Sequence, residues 1–131
     1  MLFFYLNLKP INCMSYLKKI AECHRMVGEG KILEAFEKYY HDDIVMVEAT
    51  GEVRKGKDAN REFQKQFMSG VKEIHDGGVL SLNSNEDAAT TSVETWIEMT
   101  FQDGNRVKME EVAVQKWQDG KIIHERFYYN M

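Results

Sequence analysis

The sequence predicts an α+β domain in which three helices from the N-terminal half cover a strongly curved, mixed or antiparallel sheet, leaving a cone-shaped hollow between the layers. Three observations carry that prediction. From Val93 to Tyr129 the chain holds three long runs rich in Val, Ile, Thr, Trp, Phe and Tyr, separated by Asp103-Gly104 and Asp119-Gly120. Both are turn pairs that tolerate positive φ and join antiparallel strands. Between Ser15 and Tyr40, and again after Gly56, apolar residues recur at helical spacing. The resulting order of helix, helix, strand pair, helix and long strands segregates the helices to one face, and the hole beneath them is the default place for a ligand.

The first helix is predicted over Ser15–Val27, with Ser15 as N-cap and Leu17, Ile20, Ala21, His24 and Val27 as its buried stripe. Gly28-Glu29-Gly30 closes it, since glycine supplies the left-handed conformation a helix C-terminus needs. A second helix follows over Lys31–Tyr40, its aromatics sealing one end of the core. His41-Asp42-Asp43 reads as a polar break, and Ile44–Ala49 as a strand carrying one carboxylate, Glu48. Thr50-Gly51-Glu52 turns into a short return at Val53-Arg54. Gly56 then opens a third helix with Ala59, Phe63, Phe67 and Met68 inward and Gly70 at its end. A strand from about Lys72 to Leu82 contains Gly77-Gly78, a pair suited to a bulge at a sharp bend. Asn83–Asp87 makes the turn into the meander.

A chain of 131 residues is the size of one core, which we place at residues 14–131. Residues 1–13 read as an extension that the fold does not need, because Pro10 breaks their short apolar run before the helix cap. That run is too short and wrongly flanked for a signal or a membrane span, so no membrane partner is expected. The net charge is −4, with Lys and Arg scattered among acids, and such a surface excludes a nucleic-acid partner. Cys13 and Cys23 are ten positions apart. Helical rise separates them by ~15 Å, beyond disulfide reach, so both are expected as free thiols in the cytoplasm. No nucleophile elbow, phosphate loop, dinucleotide fingerprint or short His/Cys spacing is present, and neither cofactor nor metal is expected.

The run from Gly30 through Asp42-Asp43, the strand Ile44–Glu48, the Gly56-Lys57 pair, and above all Met109–Ile123 followed by Glu125–Tyr129 resemble the SnoaL-like branch of the nuclear transport factor 2-like superfamily. The resemblance spans about residues 15 to 129. It implies the cone of the ketosteroid isomerase-like, or cystatin-like, fold and a homodimer joined through the outer face of the sheet. Because the superfamily holds isomerases, cyclases, epoxide hydrolases, dehydratases and adaptors, it does not imply one reaction. Ketosteroid isomerases keep a carboxylate base on the first strand, and Glu48 falls at that position. The position of their tyrosine donor falls on Cys23, and that of their protonated carboxylic acid on Ala113. Both donors to a developing oxyanion are absent, so steroid isomerisation by that mechanism is not expected.

Glu48 is the leading candidate base, since its neighbours Met46, Val47 and Ala49 are apolar and burial raises a carboxylate towards useful proton-transfer range. The competing reading is a water-facing carboxylate, or one paired with Arg126 or Lys108. His75, just before Gly77-Gly78, is its candidate acid-base partner, because bulges aim side chains into sites. His24 reads as a hydrogen-bonded core residue and His41 as exposed. If Ala113 faces the cavity, period-two alternation brings Glu111 and Gln115 inward, and with them Glu125, Phe127 and Tyr129 on the last strand. Tyr40, Cys23, Trp96 and Glu98 complete the expected ligand-binding set. Trp96 and Glu98 belong to the polar Glu94–Thr100 face, read as pocket lining, with a solvated face as the alternative.

The expected ligand is a small apolar organic molecule, handled by an isomerase-, cyclase- or hydratase-type enzyme with a pocket carboxylate as general acid and base. The alternative is a non-catalytic binding or adaptor domain. A homodimer is expected through the other face of the long strand, Val93, Thr95, Ile97, Met99 and Phe101, joined by Val112 and Val114. If the strand register is inverted, those residues are instead core and the glutamate face is outside.

Overall fold

Ser15 caps the first helix as the sequence predicts: its Oγ accepts the Lys18 N–H at 3.1 Å, and α1 runs over Tyr16–Gly28. The computed structural model describes residues 14–130, so the expected extension over residues 1–13 lies outside the described residues. α1 buries Ile20 and Cys23, whereas Leu17 is 41% exposed. The buried stripe is thus rotated from the expected one. Tyr16 packs on Trp117 with ring centroids 5.6 Å apart, which turns the Tyr16–Ile20–Cys23 line towards the sheet.

α2 (Ile32–Tyr39) buries Ala35, Phe36 and Tyr39 and passes directly into β1 (Tyr40–Val47). The expected polar break therefore lies inside a strand. Tyr40 stands opposite Ile122 and Val45 opposite His124, so β1 bows outward between them and leaves Asp42 and Asp43 in solvent. β2 (Val53–Lys55) pairs back on β1, and Gly56, at φ 90°, leads into α3 (Lys57–Ser69). The residue α3 buries is Asn60, not Ala59. Its amide donates to the Arg54 and Gly56 carbonyls and its Oδ1 accepts from Arg54 Nε, so a polar side chain is satisfied where an apolar one was expected.

β3 (Val71–Asn85), β4 (Thr90–Phe101), β5 (Arg106–Gln118) and β6 (Lys121–Tyr128) form the meander, and the sheet order is β2-β1-β6-β5-β4-β3. All neighbours are antiparallel except β1 and β6. With the three helices on one face, this is the α+β cone of the nuclear transport factor 2-like fold. Gly77 and Gly78 pair regularly with Ile97 and Trp96, and the register slips fall beside them, at His75 and Leu80. The glycines serve a close approach instead. A Cβ on Gly78 would stand 3.1 Å from Trp96 Nε1, because the indole lies across β3.

The faces of β4 are the inverse of the expected ones, whereas β5 turns Glu111 and Ala113 inward and Val112 and Val114 outward as expected. Val93 pairs with Ala113 and Thr95 with Glu111, and Val93 and Met99 are buried beneath the helices. Trp96 and Glu98 therefore point to the outer face, together with Val112 and Val114. The reason is energetic: Val93, Ile97 and Met99 gain more from leaving water than a glutamate row does.

Candidate functional site

Between the helices and the inner sheet face lies a cavity of 580 Å³, within the ~300–1,000 Å³ of small-molecule sites. Its helical wall comes from Cys23, His24 and Val27 on α1, Phe36 on α2, and Phe63, Gln64, Phe67 and Met68 on α3. The sheet contributes Val93, Thr95, Ile97 and Met99 from β4, Glu111 and Ala113 from β5, and Glu125 and Phe127 from β6. Tyr40, the first residue of β1, closes one end. Lys72, Glu73 and Ile74, exposed on β3, form part of the rim.

At the floor a buried network runs through four elements. Glu125, 3% exposed, accepts the Tyr40 hydroxyl at 2.6 Å on one oxygen and Gln115 Nε2 at 2.8 Å on the other. Gln115 Oε1 accepts from Thr91 Oγ1 at 2.8 Å, and Thr91 accepts the Trp117 indole N–H at 2.9 Å. Burial raises Glu125 above the usual carboxylate range, with the two donors opposing. Each of these side chains is hydrogen-bonded to the next, which holds the network in one arrangement.

Glu111 is different. Among the described residues its carboxylate has no hydrogen-bond partner. Burial first, then the charges of Glu125 and Glu48, push it up to about 7. His24, on the opposite wall, is held below its ordinary value by burial and is neutral at neutral pH. The Cys23 thiol is pushed up to about 12 by burial and is an inert wall atom.

A model of the SnoaL-like domain family matches residues 14–129. The chain belongs to the SnoaL-like domain family. Among solved structures, this SnoaL-like domain is similar to a Mesorhizobium loti protein described as a candidate SnoaL-like polyketide cyclase. The two are 31% identical over 88% of this chain and 100% of that one, with a TM-score of 0.77. It is also similar to SalBIII, described as an epoxide hydrolase/cyclase-like enzyme in pyran-ring formation of the polyether salinomycin. There the identity is 25% over 88% of this chain and 91% of that one, with a TM-score of 0.73. A candidate polyketide cyclase from Pseudomonas putida shares the fold at 18% identity, covering 91% and 94% of the two chains with a TM-score of 0.76. No curated protein sequence matches this chain.

Of the residues singled out in the sequence, the SnoaL-like domain brings Cys23, Tyr40, Glu111, Ala113, Glu125 and Phe127 to the cavity wall. Gln115 stands behind it in the buried network. Glu48 lies just past β1, where its carboxylate is paired with the Arg54 guanidinium and accepts the Tyr129 hydroxyl at 2.9 Å. That cation is neither Arg126 nor Lys108. Glu48 and Tyr129 therefore flank the cavity without lining it. Trp96 and Glu98 are on the outer face, one under Lys108 Nζ at 5.0 Å and the other against Arg106 Nε at 3.3 Å. His75 also faces outward, because the register slip turns its ring to Thr100, with Nε2 2.6 Å from the hydroxyl. His24, Gln64 and Thr95 are lining residues that sequence reasoning missed. Gln64 was findable, since Phe63, Gln64, Phe67 and Met68 make an i, i+1, i+4, i+5 stripe. Among the described residues no group of three His, Cys, Asp or Glu side chains is placed to hold a metal, and no helix is long and apolar enough to cross a membrane.

Proposed function

We propose that the domain is an enzyme that binds a small, largely apolar organic molecule in its cone and moves a proton on it through Glu111. The observation that carries this reading is a carboxylate on the cavity wall, free of hydrogen bonds and pushed up to about 7, in a hollow otherwise walled mainly by apolar side chains. At neutral pH such a group populates both forms. It can take a proton from a carbon acid or hydroxyl and return it elsewhere on the same molecule, which suits isomerase-, cyclase- or hydratase-type chemistry. The proton-transfer role thus moves from Glu48 to Glu111, and Glu48 contributes through the charge that helps hold Glu111's proton. Thr95, paired with Glu111 across β4 and β5, and neutral His24 offer the polar contacts for orienting the substrate. The names of the relatives, cyclase and epoxide hydrolase/cyclase-like, agree with proton transfer.

The test is Glu111→Gln against a panel of enolisable ketones, epoxides and hydroxy-carbonyl compounds. Turnover of a panel substrate is expected to fall by ~10²–10⁴. Unchanged turnover removes Glu111 from the mechanism. A second reading, binding without turnover, is favoured by one observation: the Tyr40 hydroxyl at the floor is already committed to Glu125. Stabilisation by a panel compound with no turnover in either protein supports that reading.

The same proposal has the domain work as a homodimer. Its contact would be the outer sheet face, where Leu80 is 60% exposed, Tyr128 50% and Val112 37%, with Val112 paired directly to Tyr128.

A further inference from the structure

The polar groups on the cavity wall are unequally divided between acceptors and cations. Three carboxylates, Glu73, Glu111 and Glu125, line it against one lysine ammonium, that of Lys72 at the exposed rim. Arg54 is paired with Glu48 and, at 3.7 Å, with Glu52, and is stacked on Phe63 with its guanidinium carbon 3.4 Å from the ring centroid, although its Nη1 makes no hydrogen bond among the described residues. Gln64 Oε1 is a buried acceptor on the cavity wall with no hydrogen-bond partner among the described residues. Glu111 likewise has none. A buried acceptor left unmet, as Gln64 Oε1 is, costs free energy that a bound donor recovers, and the half-buried Glu111 carboxylate is open to a counter-ion. Phe67 and Phe127 also border the hollow, aromatic side chains of the kind that take both an apolar body and a cation.

Taking the reading of the cavity as a small-molecule site, we propose that its ligand is a lipophilic amine bound in its protonated, N–H-bearing form, with Glu111 as counter-ion. A neutral apolar molecule leaves Gln64 and Glu111 unpartnered, and an anion meets three carboxylates. A quaternary ammonium has no N–H for the open acceptors. The protonated amine satisfies the acceptors, balances the charge and lays its hydrocarbon on the apolar walls. The groups facing Glu111 favour this. Glu125 and Glu48 are neighbouring carboxylates, Tyr40 is spent on Glu125, burial holds His24 below its ordinary value, and Lys72 is at the rim.

The experiment is calorimetric titration of the full chain with phenethylamine, phenethyl alcohol and hydrocinnamate, a cation, a neutral isostere and an anion of similar size. The amine is expected to bind at least tenfold tighter than the alcohol, and the anion weakest. Because the cation must displace Glu111's proton, amine affinity is expected to rise about tenfold from about pH 6 to about pH 8, with proton release visible in buffers of different ionisation heat. Alcohol affinity is expected to stay flat. In Glu111→Gln the amine preference is expected to vanish while alcohol binding persists, which shows that the variant is folded and the cavity intact. Equal binding of amine and alcohol, tighter binding of the anion, an undiminished amine preference in Glu111→Gln, or no binding of any probe each overturns the proposal. The first of these leaves Glu111's proton-transfer role standing, since that role is read from turnover of uncharged substrates.

Discussion

Glu111 and Glu125 occupy one hollow under opposite terms, two donors for the buried one and none for the other. Stability should report the difference. Glu111 rises from 4.5 to about 7 on folding. The native state therefore keeps a proton that the unfolded chain has released, and the associated stability is full below about pH 4.5 and lost as pH rises through about 7. Glu22, Glu29 and Glu37 are lowered by cation partners and act in the opposite sense, but they pair at the surface, where such bridges count for little. Glu111→Gln removes the raised carboxylate alone. Urea denaturation across this pH window should show the variant gaining on the wild type as pH rises, by up to about 3 kcal/mol. An unchanged difference across the window would mean that Glu111 is hydrated in the folded state.

At the scale of elements, Gly77-Gly78 shows how local chemistry and tertiary contact diverge. The pair reads in sequence as a bulge, whereas in the fold it is regularly paired strand between two register slips, closely approached by Trp96. A Cβ on Gly77 would meet the Trp96 carbonyl oxygen at 3.1 Å, a backbone atom, and one on Gly78 the movable indole at 3.1 Å. Gly77→Val should therefore cost more than Gly78→Ala, ~1–3 kcal/mol against less than ~1 kcal/mol, read as a loss of thermal midpoint. Equal losses would show that the strand shifts as a unit. The elements themselves were legible, because caps, turn pairs and periodicity are local: Ser15, Gly56, Asp103-Gly104 and Asp119-Gly120 all act where the sequence places them. What was not legible was which way a strand faces. Alternation along Val93–Phe101 defines two faces and does not say which one the helices cover. The assumption that a ligand cavity needs the polar row placed Trp96 and Glu98 inside. On β5 the anchor was Ala113, and there alternation brought Glu111 and Gln115 inward correctly. His75 was lost for the same reason, since one slipped residue reverses a side chain.

At the scale of the whole molecule, the inverted faces of β4 remove Val93, Ile97 and Met99 from the proposed dimer contact, keep Val112 in it and add Leu80 and Tyr128. Leu80→Glu should leave the far-ultraviolet spectrum unchanged while light scattering reports half the wild-type mass. A wild type that is monomeric at high micromolar concentration would exclude the dimer. The sheet order also bears on how the molecule is made. β1 lies between β2 and β6, so a strand near the start of the chain receives its parallel neighbour only from the last one. On the ribosome, the β3–β5 meander can assemble from adjacent hairpins while β1 waits with one edge unpaired. Closure of that long loop is the late, slow event. The newborn chain is therefore most exposed to proteolysis and mispairing after its helices are made and before its final eight-residue strand emerges.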